Sequence, residues 1–174
     1  MKVVFFDRDG TIIVEPPDTY NVTLGNLELF PDSLAAFKLL AEKGYNVVLV
    51  TNQKGIGDGT ISMEEYESVN KKVIELLKPT GINILKTYLC PHTPEDNCDC
   101  RKPSPKMLNE AAKEFEVDLK KSFMVGDRMT DIEAGQAAGA QSILVRTGNF
   151  DVEPNKADYT TSNILDAVKY IVNN

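Results

Sequence analysis

The chain has 174 residues, and 42% hydrophobic with 26% charged residues is ordinary for one globular domain with a sizeable core. A formal net charge of −7 argues against a broad nucleic-acid surface, and no apolar run reaches the ~20 residues of a membrane span. Because the first residues pass directly into a strand without a signal-peptide pattern, we expect a cytoplasmic protein.

The first predicted element is a buried strand, Val3–Phe6, an apolar run of two β-branched and two aromatic residues. The chain then becomes polar at Asp7 and Asp9, at the carboxyl end of the strand, where open parallel sheets hold their ligands. In extended backbone these two side chains point to the same side. Two carboxylates that close raise each other's pKa unless a cation neutralises them, which indicates a metal ion.

Strands and helices alternate along the rest of the chain. The polar stretch 15–20 predicts a loop near the first strand, and 54–59 predicts a Gly-rich loop. The later predicted strands are 47–50, 84–89, 122–125 and 142–145, and the predicted helices start near Pro31, Ser62, Ser104, Met129 and Ile164. The alternation predicts an α/β fold with a parallel sheet, helices on both faces, and one domain over residues 1–174.

All three Cys and the single His lie between positions 90 and 100. The four residues are Cys90, His92, Cys98 and Cys100. Three thiolates and one imidazole form a closed tetrahedral set suited to Zn²⁺, although three unrelated thiols and a surface His are the alternative. The set leaves no position for water, so we interpret the site as structural, ordering a loop that presents Arg101 and Lys102.

Polar residues follow four of the predicted strands. They are Asp7 with Asp9, Thr51 with Asn52, Arg101 with Lys102, and Asp127 with Asp131. Because a parallel sheet gathers the carboxyl ends of its strands at one edge, these groups are expected to converge. Two carboxylates, a hydroxyl, a cation and metal-holding acids are the groups needed for phosphoryl transfer.

Taken in order, these motifs resemble those of the haloacid dehalogenase (HAD) superfamily of phosphatases. The resemblance implies a three-layer, Rossmann-like fold, with Asp7 as nucleophile and Asp9 as general acid and base. It further implies that Thr51 and Lys102 hold the phosphoryl oxygens. Mg²⁺ would bind the Asp7 side chain, the Asp9 backbone carbonyl and Asp127, with Asp131 behind them.

The zinc loop ending in Cys-x-Cys-Arg-Lys-Pro resembles that of one branch, the heptose-bisphosphate and histidinol-phosphate phosphatases, which lack a large cap domain. Here too no segment between the early strands is long enough for a cap. Loops must then cover the site, and we nominate 15–18, 54–59 and the zinc loop. The expected substrate-binding residues are Asn52, Gln53, Lys54, Arg101, Glu15, Asp18 and Arg128, with Arg101 on the distal part of the substrate.

Several functions stay open. The favoured substrate is D-glycero-D-manno-heptose 1,7-bisphosphate, although Glu15-Pro16-Pro17 and the short zinc loop look more like the histidinol branch. A nucleic-acid 3′-end phosphatase is disfavoured by the net charge of −7. The non-enzymatic alternative is a zinc-stabilised binding module on a dead scaffold. We expect a monomer whose partner is a small phosphorylated molecule, and neither a membrane nor nucleic acid.

Overall fold

A computed structural model describes residues 1–149, 152–153 and 156–174. In this part of the chain six strands form one parallel sheet in the order β3-β2-β1-β4-β5-β6. The strands are β1 (Val3–Phe6), β2 (Asn46–Asn52), β3 (Asn83–Cys90), β4 (Phe123–Gly126), β5 (Gln141–Val145) and β6 (Tyr159–Thr161). β1 is central, so its carboxyl end lies between those of β2 and β4.

Helices connect the strands. They are α1 (Ser33–Glu42), α2 (Lys54–Gly57), α3 (Met63–Leu77), α4 (Lys106–Phe115), α5 (Met129–Ala138) and α6 (Ile164–Asn173). Ser62 with Glu65 three residues later predicts a capping box at the start of α3, and it is present: Ser62 Oγ accepts from the Glu65 amide, and the Glu65 carboxylate accepts from the Ser62 amide. None of the described helices is long and apolar enough to span a membrane.

The sheet separates two cores, as the pleat of β1 requires. Val4 and Phe6 face a core that includes residues of α1, α3 and α6. Val3 and Phe5 face the opposite core, which includes residues of α4 and α5. Side chains alternate across the sheet because the strand period is two residues. The predicted three-layer α/β fold is confirmed.

Two elements differ from the sequence predictions. Residues 54–59 are not simply a loop, because Lys54–Gly57 forms the short helix α2 immediately after β2. Strand β6, which pairs with β5, was not predicted, since its three residues Tyr-Thr-Thr are too few for a periodic signal. The sequence also predicts a loop with Gly148 and Pro154 before the last helix, and of these two residues Pro154 lies outside the described part of the chain.

Candidate active site

The carboxyl ends of β1, β2 and β4 surround a cavity of about 340 Å³. Its lining includes most of the predicted site residues: Asp7, Asp9, Glu15, Thr51, Asn52, Arg101, Lys102, Arg128 and Asp131. Asp127 directly follows β4 and is buried beside them. The Asp7 amide donates to the Val125 carbonyl at 2.9 Å, so hydrogen bonding to β4 fixes the backbone of Asp7.

Lys102 is the cation at the centre of the site. Its ammonium lies 2.7 Å from Asp7 Oδ1 and 2.6 Å from Asp131 Oδ1, and it donates to the Val50 carbonyl at 2.8 Å. Burial alone would lower the pKa of Lys102, but the two carboxylates outweigh it and raise that pKa. The side chain is therefore held charged in the interior of the protein.

Carboxylates outnumber cations around Asp7. Oxygens of Asp7, Asp127 and Asp131 lie within 4.8 Å of one another, and all three residues are buried. Burial, together with the charges of Asp131 and Asp9, raises the pKa of Asp7 to about 6 against the lowering effect of Lys102. Burial and the neighbouring Asp7 and Asp131 likewise raise the pKa of Asp127 well above its ordinary value.

This acidic group fits a divalent cation. Asp127 Oδ1 accepts a hydrogen bond from Thr11 at 2.9 Å, whereas Asp127 Oδ2 is buried and has no hydrogen-bond partner among the described residues. A buried carboxylate oxygen without a partner is costly, and hard oxygen donors are what Mg²⁺ prefers. Lys102 contacts two of the three acids, and Arg128, 3.9 Å from Asp127 Oδ2, is itself paired with Glu15, so negative charge remains that a metal cation would neutralise.

Asp9 is bound by partners of its own. Arg8 Nε donates to Asp9 Oδ1 at 2.6 Å, and Gln53 Nε2 donates to Asp9 Oδ2 at 2.6 Å. Burial alone would raise the pKa of Asp9, but Arg8 and Gln53 lower it. Sequence reasoning missed Arg8, whose only signal was a charged residue between two aspartates at the end of a buried strand.

The carboxyl end of β2 and the residue that follows it align further side chains of the site. Gln53 Nε2 also donates to Thr51 Oγ1 at 2.8 Å, which leaves the hydroxyl hydrogen of Thr51 for another acceptor. Asn52 donates to the Lys102 carbonyl at 3.1 Å and accepts from the Lys102 amide at 3.0 Å. This reciprocal pair ties β2 to the loop that carries Lys102.

The Cys/His cluster is assembled beside that loop. Sulfur–sulfur distances among Cys90, Cys98 and Cys100 are 3.1–3.6 Å, and His92 Nδ1 lies 3.3 Å from Cys100 Sγ. The three cysteines are not in disulfides. Three thiols and one imidazole at these distances fit a tetrahedral Zn²⁺ ion. Arg101 Nη1 donates to the His92 carbonyl at 3.0 Å, which connects the cluster to the active-site rim.

Known proteins resemble this chain in sequence and structure. A family model described as "HAD-hyrolase-like" matches residues 99–170. A relative from Photorhabdus laumondii, named D-glycero-alpha-D-manno-heptose-1,7-bisphosphate 7-phosphatase, is 35% identical over 98% of this chain and 97% of its own. The chain belongs to the HAD-like phosphatases, in the branch of the heptose-bisphosphate phosphatases. It is therefore a phosphoric monoester hydrolase.

Two further comparisons bear on this phosphatase. A crystal structure of D,D-heptose 1.7-bisphosphate phosphatase from B. bronchiseptica, complexed with magnesium and phosphate, has a TM-score of 0.90 at 28% identity, covering 99% of both chains. A histidine biosynthesis bifunctional protein HisB from Campylobacter jejuni subsp. doylei is 35% identical over 82% of this chain, but over only 41% of its own length.

The candidate active-site cavity adjoins a second cavity of about 290 Å³. The two cavities share Glu15, Asn52, Arg101 and Arg128, and the second is also lined by Gln53 and Lys54. Both carboxylate oxygens of Glu15 accept from Arg128 Nη2, at 2.6 and 2.5 Å. Burial raises the pKa of Glu15 to about 7 although Arg128 lowers it. Asp18 is exposed and lines neither cavity.

Glycines bring the backbone of the phosphatase close to Asp127. A Cβ atom on Gly10 or Gly148 would collide with the Asp127 carboxylate. Thr147 Oγ1 donates to the Gly10 carbonyl at 2.6 Å, which joins the two glycine segments. The role of Gly148 was not predicted, because its partner is 21 residues away in sequence and no local pattern indicates such an approach.

Proposed function

We propose that this phosphatase hydrolyses D-glycero-D-manno-heptose 1,7-bisphosphate at the 7-phosphate. The observation that supports this substrate is the full-length similarity to a relative of that name. The adjoining cavities also suit a sugar with two phosphates, because one contains Asp7 and Lys102 and the other contains Arg101 and Lys54. Guanidinium groups bind phosphate through a planar fork of donors.

The reaction begins at Asp7. A carboxylate oxygen of Asp7 attacks phosphorus, the bond from phosphorus to the sugar oxygen breaks, and Asp9 protonates that oxygen. In the second half water attacks phosphorus and gives a proton to Asp9. The bond to Asp7 breaks, which restores the carboxylate and releases phosphate. A bound phosphate adds negative charge beside Asp9, and this charge favours the protonated form that the first half needs.

Two groups prepare the site for the phosphoryl oxygens. Lys102 offers a fixed positive charge next to Asp7, and Thr51 offers the hydrogen that its contact with Gln53 leaves unused. Such preorganised donors are worth several kcal/mol at the transition state. An anionic nucleophile approaches an anionic phosphate only where charges of this kind are already in place.

We assign the acidic group to Mg²⁺ and the Cys/His cluster to Zn²⁺. Asp7, Asp127 and the Asp9 carbonyl would hold Mg²⁺, with Asp131 beside them. When bound, Mg²⁺ supplies Lewis-acid stabilisation of the phosphoryl charge. Cys90, His92, Cys98 and Cys100 would hold Zn²⁺, which orders the loop carrying Arg101 and Lys102. Residues 1–174 would act as one domain and as a monomer.

A second candidate is histidinol phosphate. Similarity to HisB supports it, although it covers only part of that protein. Glu15 also supports it, because a buried carboxylate at the junction of the two cavities can pair with a cationic amine as readily as with Arg128. In this alternative Asn52, Gln53 and Lys54 would contact the substrate near its phosphate.

A phosphate-release panel with Mg²⁺ tests these functions. The substrates are the heptose bisphosphate, histidinol phosphate and an oligonucleotide with a 3′-phosphate, and the proteins are wild type and Asp7→Asn. We expect the heptose bisphosphate to be hydrolysed fastest, and Asp7→Asn to keep its fold and zinc but lose hydrolysis. If histidinol phosphate is turned over faster, it replaces the heptose bisphosphate as the proposed substrate. If the wild type hydrolyses none of the three substrates, only the function as a binding module remains.

A further inference from the structure

Arg8 is a fully buried cation next to the nucleophile. Its side chain is 1% exposed, and its guanidinium carbon lies 5.0 Å from the centroid of the Tyr66 ring. Nε and Nη2 donate to the two oxygens of Asp9 at 2.6 and 3.1 Å. The remaining nitrogen, Nη1, is buried and has no hydrogen-bond partner among the described residues. Asp9 is therefore the one carboxylate to which Arg8 is hydrogen-bonded in this part of the chain.

A contribution to folding stability does not by itself explain the buried ion pair between Arg8 and Asp9. Burying a guanidinium and a carboxylate removes both from water, and the attraction between them often fails to offset that cost. An unpartnered guanidinium nitrogen adds a further penalty. A buried pair that gains little for the fold is a candidate for a functional role, and its partner here is the proposed acid and base of the reaction.

Gln53 fixes Asp9 from another direction. Gln53 is 4% exposed, and its Nε2 donates to Asp9 Oδ2 at 2.6 Å and to Thr51 Oγ1 at 2.8 Å. Asp9 Oδ1 is held by Arg8, so both carboxylate oxygens have directed donors. The same amide aligns the acid–base group and the hydroxyl that faces the phosphoryl oxygens.

We propose that Arg8 and Gln53 are positioning residues that hold the Asp9 carboxylate in the orientation needed for proton transfer. This inference rests on the proposed function, because it requires Asp9 to carry protons. A misplacement of about 1 Å between a proton carrier and its target can lower a rate about 100-fold. Arg8 would prevent such a misplacement from within the core, and Gln53 would do so from the wall of the second cavity.

The two half-reactions respond differently to a misplaced Asp9. An alkyl phosphate needs a proton from Asp9 as the bond from phosphorus to its oxygen breaks. p-Nitrophenyl phosphate does not, because p-nitrophenolate takes the electron pair and leaves as an anion. Both substrates form the same Asp7 phosphate, whose hydrolysis needs Asp9 to take a proton from water. Misplacement therefore slows the first half for alkyl phosphates and the second half for both substrates.

The test measures Arg8→Met and Gln53→Leu with the better alkyl phosphate of the panel and with p-nitrophenyl phosphate. For both variants we expect the fall in kcat/KM with the alkyl phosphate to exceed the fall with p-nitrophenyl phosphate at least ~10-fold. Gln53→Leu also releases Thr51, which lowers kcat/KM for both substrates. Rapid mixing should also show a burst of about one p-nitrophenolate per enzyme, followed by slow turnover. Asp9→Asn serves as the reference for this signature.

A general loss of stability gives a different result. Val73→Ala removes buried volume from α3 without contacting Asp9, and it should change kcat/KM for the two substrates equally and give no burst. If Arg8→Met and Gln53→Leu behave like Val73→Ala, the inference is wrong. If Arg8→Met does not fold, the comparison of the two substrates with Gln53→Leu alone tests the inference. If Asp9→Asn lacks the signature, the proposed acid–base role falls together with the inference.

Discussion

The Lys102 ammonium lies 2.7 Å from Asp7 Oδ1, although 95 residues separate the two in sequence. β1 positions one of them, and the loop that follows the Cys/His cluster positions the other. The side chains are 2% and 8% exposed, so little water screens their interaction. The proposed nucleophile thus carries a fixed counter-charge before any substrate arrives.

Replacing Lys102 by Met is expected to lower kcat/KM by ~100- to 1,000-fold, because it removes the cation facing the phosphoryl oxygens. It also leaves Asp7 and Asp131 without their shared ion-pair partner, so the melting temperature should fall as well. Phosphate release by the folded variant measures the first effect and circular dichroism the second.

Lys106→Met is the matched control. Lys106 lies on the surface and pairs with the exposed Asp99 at 2.7 Å, so its removal should change kcat/KM by less than about 2-fold. Equal losses in Lys102→Met and Lys106→Met would contradict the role assigned to Lys102.

Much of the architecture followed from local patterns. The apolar run Val3–Phe6 identified β1, and the helix that the pattern predicts over roughly 129–138 is α5, which ends at Gly139 in left-handed conformation. The parallel topology then predicted that Asp7, Thr51 and Lys102 would meet at one edge of the sheet, where the structure brings them together.

Other features depend on distant partners and have no local signature. Nothing in the sequence distinguishes Arg8 from other polar residues, because only the fold shows that it is buried against Asp9 and Tyr66. Glu15 lines both cavities, as a residue that contacts substrate would, but no local pattern indicates that it pairs with Arg128, 113 residues away. Long-range contacts of this kind follow from packing and not from periodicity.

Glu15 is expected to make substrate binding depend on pH. Its pKa of about 7 means that it is mostly protonated at about pH 6 and mostly ionised at about pH 8. The ionised form pairs with Arg128 and competes with an anionic substrate, so this contribution should raise KM as pH rises through about 7. In Glu15→Gln the side chain is neutral at every pH, and that contribution should vanish.

The measurement compares the KM of wild type with that of Glu15→Gln between about pH 6 and about pH 8. The substrate phosphate, with a pKa near 6, also ionises in this range, but its ionisation affects both proteins alike and cancels in the comparison. Asp18→Asn, a change in the exposed part of the same loop, should follow wild type. If the KM of wild type and the KM of Glu15→Gln depend on pH in the same way, ionisation of Glu15 does not control substrate binding.

Loss of one of the proposed Cys ligands should release zinc and loosen the rim of the candidate active site. We expect Cys98→Ser to contain little zinc and to melt more than about 5 °C below wild type. Because Arg101 donates to the His92 carbonyl, the variant should also have a raised KM. Zinc content and thermal unfolding check this, with Glu95→Gln, an exposed change in the same loop, as the control. Full zinc in Cys98→Ser would show that Cys98 is not a ligand.

Gly148→Ala tests the packing beneath the acidic group. The added methyl group would collide with the carboxylate of Asp127, which also contacts Thr11 at 2.9 Å, so Asp127 must move. We expect the Mg²⁺ concentration for half-maximal activity to rise at least ~10-fold, with activity partly restored at high Mg²⁺. Gly25→Ala adds the same methyl group where the nearest atom is 3.7 Å away, and it should keep the wild-type Mg²⁺ dependence. An unchanged Mg²⁺ dependence in Gly148→Ala would mean that Asp127 does not hold the metal.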